Sequence, residues 1–132
     1  MDELNVFIQS IDNVEFVVSL DYDGDLYTCD EWANLYIELG SSGNTPLILN
    51  GDVDFDGDNQ PDHHMWNMFA NSTYSAYAFL DHNMVLRYKF DMPNLYQYQY
   101  TYIPNLIEEM YGCTDVLACN FNETVVIDDG SC

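Results

Sequence analysis

At 132 residues, 48% of them hydrophobic and 15% aromatic, the chain has the length of one domain and enough apolar content for a packed core, which excludes a disordered polymer. Arg87 and Lys89 stand alone against 23 acidic residues, and a formal net charge of −21 repels nucleic acid and anionic lipid. The carboxylates therefore serve a solvated surface, divalent cations or basic partners. No run of about 18 apolar residues spans a membrane, and the opening MDELNVFIQS lacks the basic start and apolar block of a secretion signal.

In chain order, Leu4, Phe7, Ile8 and Ile11 fall at i, i+3, i+4 and i+7 and predict a helix over 2–11. VEFVVSL, residues 14–20, is β-branched and aromatic and predicts a buried strand. Thr28 and Glu31 form a capping box ahead of Trp32, Leu35, Tyr36 and Leu39, with Gly40 as the stop. TPLILN predicts a short strand, and Asp62 is placed to cap a helix through HHMWNMFA. SAYAFLD and MVLRYKF read as a hairpin turning near Asp81 to Met84. NLYQYQYTY reads as an irregular connection or a frayed edge strand, and IPNLIEEM as a closing helix with Pro104 in its first turn. The alternation predicts an α/β fold with helices on both faces of a sheet and an antiparallel pair at its end. Composition changes at Gly112, which puts a boundary between a domain over 1–111 and a Cys-rich C-terminal module over 112–132.

Four features bear on chemistry. GDVDFDGDNQPDHH, residues 51–64, matches the first positions of an EF-hand at Asp52, Asp54, Asp56, Gly57 and Asp58, but His63 stands where the bidentate glutamate belongs. Asp62 can supply the last carboxylate of a D-x-D-x-D-G-x-x-x-D loop, so the segment is either a calcium site of these five aspartates or a solvated acidic turn. His63, His64 and His82 fit a helix start and a turn better than a transition-metal site, which needs three or four convergent ligands. Cys29 opens a helix, where the dipole lowers a thiol pKa, yet the plain thiol or disulfide partner is the simpler reading. The tyrosines from Tyr96 to Tyr102 offer either a binding surface or edge packing.

The element order, with VEFVVSLDYD, CDEWANLYIELG, TPLILN, HHMWNMF and the AYAFLDHNMVLRYKF hairpin, resembles the redoxin branch of the thioredoxin-like fold over roughly residues 2–110. Its most specific element is the F-L-D-x-x-x-V-x-R-Y run from Phe79 to Tyr88. The resemblance implies a three-layer α/β/α sandwich with a mixed sheet, in a protein of the thiol-disulfide oxidoreductase or peroxidase type acting on protein thiols. It also implies an N-terminal strand and active-site cysteine that this chain does not match, so no catalytic residue is assigned and no activity is expected of the chain as it stands. Ser75 falls at the family's cis-proline position, where a cis bond before serine costs about 2.5–4 kcal/mol, so a trans bond is expected. These departures suggest the C-terminal part of a longer protein.

GCTDVLACNFNETVVIDDGSC, residues 112–132, resembles a G-C-T-D…D-D-G-S-C module found near the C-termini of secreted proteins of marine bacteria. It implies export to the periplasm, cell surface or medium, other secreted proteins as partners, and a disulfide between Cys113 and Cys132. Cys119 is then left over, with Cys29, another chain or a cysteine outside this sequence as its partner. The other function class is a non-catalytic extracellular binding or structural module with a calcium-stabilised acidic loop, and calcium is the one cofactor the sequence suggests.

Overall fold

A computed structural model of the chain describes residues 2–20, 28–41, 45–50, 53–69 and 76–132. It contains both helices and strands, as the alternating pattern predicts, and divides into two compact units. The first comprises residues 1–78 with 89–92, and the second residues 79–88 with 93–132.

The first unit opens with helix α1, Asp2–Gln9, which buries Leu4 and Ile8 from one stripe. Strand β1 is shorter than the apolar run that predicts it, covering only Val17–Leu20. Asn13 takes a left-handed φ of 65° just ahead of the apolar run, and the Phe16 carbonyl accepts the Leu47 N–H at the strand's start. Helix α2, Cys29–Leu39, starts where the capping box places it: the Glu31 N–H donates to Thr28 Oγ1 at 3.3 Å, and the Thr28 N–H donates to Glu31 Oε2 at 2.7 Å. The Thr28 N–H, and after it the Thr28 hydroxyl, both donating to Glu31 Oε2, hold the Glu31 carboxyl below its ordinary range. Gly40 ends α2 in an extended conformation while its N–H reaches back to the Tyr36 carbonyl, so the stop uses a main-chain bond and not the left-handed cap expected of glycine. Thr28→Ala removes the side-chain half of the box, and it should lower stability by about 1 kcal/mol. Thr28→Ser should restore most of the loss in the same denaturant titration.

Strand β2, Leu47–Asn50, pairs parallel with β1 in the register Val17↔Leu47 and Leu20↔Asn50, with α2 as the crossover and packed on β2. One face of the pair, carrying Val17, Leu47 and Leu49, is exposed. Helix α3, His64–Phe69, follows the acidic loop. Asp62 does not cap it: His63 is left-handed at φ 51°, and the Asp62 carboxylate turns back to accept the Phe55 N–H at 2.7 Å.

Strands β3, Tyr77–Leu80, and β4, Leu86–Phe90, form the predicted hairpin. Its turn is tied by the Asp81 N–H to the Val85 carbonyl and the Met84 N–H to the Asp81 carbonyl. Met84 supplies the left-handed residue, at φ 62°.

The tyrosine-rich segment is neither loop nor strand. Asn94 accepts the Gln97 N–H through its side chain and starts a short helix α4, Leu95–Gln97. This continues as a π-helical turn over Tyr98–Tyr102 and then as α5, Ile103–Glu108. The Ile103 N–H bonds the Tyr98 carbonyl, the five-residue step that defines the π turn. Tyr98 and Tyr102 thereby face inward and close on Phe79 and Tyr88, with ring centroids 4.6–6.3 Å apart, while Tyr96 and Tyr100 stay outside at 72% and 66% exposure. Tyr98 and Ile103, with Cys113 and Val125 from the C-terminal segment, are the buried apolar residues of this unit.

The C-terminal segment packs within the second unit by main-chain bonds. Val126 and Ile127 both donate to the Met110 carbonyl at 2.9 Å, and β5, Tyr111–Gly112, pairs parallel with β6, Ile127–Asp128. Gly112 lies close under Val125, where a Cβ would come within 3.1 Å of Val125 Cγ1 and the valine would have to give by a few tenths of an ångström. The described strands thus make three two-stranded sheets.

Candidate functional site

The acidic loop organises itself by short-range bonds. Asp54 accepts the Gly57 N–H at 2.6 Å on one oxygen and the Asn59 N–H at 2.9 Å on the other. Asp56 accepts from Asp58 N–H and Asp58 from Gln60 N–H, at 3.0 and 2.8 Å. Alternate aspartates each closing on a residue ahead wind the chain so that their side chains meet. Gly57 and Asn59 take the left-handed φ values this winding needs, 82° and 66°. The outcome is that one oxygen from each of Asp54, Asp56 and Asp58 lies within 4.8 Å of the other two. The Gly57 N–H, with help from Asn59 and Asp58, holds the Asp54 carboxyl below its ordinary range, so it is ionised at neutral pH.

Asp62 is a strut at the foot of this loop. Its carboxylate takes the Phe55 N–H and lies 3.5 Å from His64 Nε2, and its own N–H reaches the Val53 carbonyl. The convergent group among the described residues is Asp54, Asp56 and Asp58, without Asp62. Asp52 and Ser75, expected as a calcium ligand and as the cis-proline equivalent, lie outside the described residues. His64 packs on Phe55 with ring centroids 5.3 Å apart, His63 precedes α3, and His82 sits in the hairpin turn.

Cys113 and Cys132 are bonded, with Cα atoms 4.9 Å apart. Cys29 and Cys119 are free thiols, so the pairing of Cys119 with Cys29 is not made. Neither thiol has another cysteine at Cys-x-x-Cys spacing.

A charged cluster that sequence reasoning missed lies in the second unit. Arg87 forks onto Glu109, Nη1 to Oε2 and Nη2 to Oε1, and Nη1 also donates to Asp81 Oδ2 at 3.2 Å. The only arginine of the chain thus joins the hairpin turn to the end of α5. Its one sequence-level signal is that scarcity, because a lone guanidinium among 23 carboxylates finds a bidentate partner. Asp81 Oδ1 meanwhile accepts the N–H groups of Asn83 and Val85. Beside it, His82 Nε2 lies 3.1 Å from the Thr124 carbonyl and 3.0 Å from Asn83 Nδ2.

The two carboxyls of this cluster sit below their ordinary ranges for different reasons. Val85 N–H is the chief cause for Asp81, whereas Arg87 is the chief cause for Glu109. A depressed folded value contributes stability above the ordinary carboxylate range, near pH 4, and loses it as pH falls through the folded value. Arg87→Gln should therefore move the Glu109 midpoint up to its ordinary value and the Asp81 midpoint by less. Carboxyl carbon NMR titration reads both, and equal movement would contradict the assignment of causes.

Comparison with protein-family models, with curated proteins and with solved structures found no match to this chain. No helix among the described residues is long and apolar enough to cross a membrane.

Proposed function

We propose that this chain is a non-catalytic, exported binding or structural module whose acidic loop closes around calcium and whose C-terminal segment is stapled by Cys113–Cys132. The observation that carries the reading is the convergence of Asp54, Asp56 and Asp58. Calcium sits about 2.3–2.6 Å from each oxygen, so ligands on opposite sides of it lie roughly 5 Å apart. One oxygen from each of the three lies within 4.8 Å of the other two, close enough to share one such ion, and carboxylates this close repel one another until a cation joins them. Water and loop carbonyls complete the shell that hard calcium requires. A disulfide in a small acidic chain agrees with export, where such bonds persist.

Millimolar calcium should raise the melting temperature of the chain, magnesium should do so less, and Asp56→Asn should weaken the response. At a free concentration 100 times Kd the expected stabilisation is about 2.7 kcal/mol. An unchanged melting temperature at 10 mM calcium is the opposing result.

The second reading is a redoxin-type, thioredoxin-like domain, favoured by one observation: β1, α2 and β2 make a parallel strand–helix–strand unit. Two free thiols without a paired cysteine give it no dithiol couple, so insulin reduction should be absent. Reduction by the wild type that Cys29→Ser abolishes would favour this reading over the first.

A further inference from the structure

We draw no further inference here: the strongest candidate, the polar cavity of about 470 Å³ lined by the hairpin turn, Glu109 and the Asn122–Val125 stretch, has its charged wall already paired within itself as Asp81, Arg87 and Glu109, and the unpartnered Nδ1 of His82 is closed off from it.

Discussion

Tyr98→Ala should lower stability by about 3–5 kcal/mol, the cost of deleting a large ring from a site that cannot collapse. Tyr98 is fully buried, its ring edge-on to Phe79 at 4.9 Å and 6.3 Å from Tyr102. Edge-to-face pairs of this kind add to simple burial. Against a total stability of about 5–15 kcal/mol the loss is a large share of the whole. Tyr98→Phe keeps the ring and should cost distinctly less. Tyr96→Ala and Tyr100→Ala, two positions either side, remove exposed rings and should fall within about 0.5 kcal/mol of wild type. Urea titrations of the four variants make the comparison. Equal losses at positions 96, 98 and 100 would contradict the helical winding of this segment, since a strand puts these tyrosines on one face whereas a helix separates them into inner and outer pairs.

Replacing both Cys113 and Cys132 by alanine should cost about 3 kcal/mol, the chain-entropy value for a loop with a separation of 19 residues. The effect should centre on the segment the bridge closes. There the Asn122 N–H bonds the Cys113 carbonyl and the Asp129 N–H bonds the Gly112 carbonyl, and these contacts lose their tether with the bridge. Proteolysis should then cut first within residues 114–131. Reduction of the wild type should reproduce both effects. In unfolded, unreduced protein a thiol reagent should count two groups, Cys29 and Cys119. A count of zero or four, or a double variant as stable as wild type, would contradict the pairing or its contribution.

What the sequence made legible was set by local chemistry. The Thr28–Glu31 capping box and the hairpin turn each span four residues, and the Asp54–Asp58 winding depends on side chains bonding main-chain groups within five residues. Each is encoded where it acts. The tyrosine segment misled because residues at 96, 98, 100 and 102 satisfy a strand's period of two, while 98 and 102 also stand one helical step apart. Asn94 decides between them by capping a helix, a signal the alternation overshadows. Asp62 misled in the opposite direction, since a good cap residue in sequence was drawn into a bond with Phe55, seven positions back. The Arg87–Glu109 fork joins residues 22 apart, and no local pattern announces it. The pairings of β1 with β2 and of β5 with β6 are also non-local, so the alternation gives the mixed α/β class without their arrangement.

Calcium titration followed by calorimetry tests the central claim most directly. The account predicts one calcium per chain, with Kd about 10⁻⁴–10⁻³ M as in extracellular modules. Asp56→Asn and Asp58→Asn should each weaken binding by at least about tenfold, because each removes one of the three charges that converge among the described residues. A saturable heat that these variants abolish is the expected result. No heat from the wild type, or the same heat from the variants, would return Asp54, Asp56 and Asp58 to a turn held only by its own hydrogen bonds.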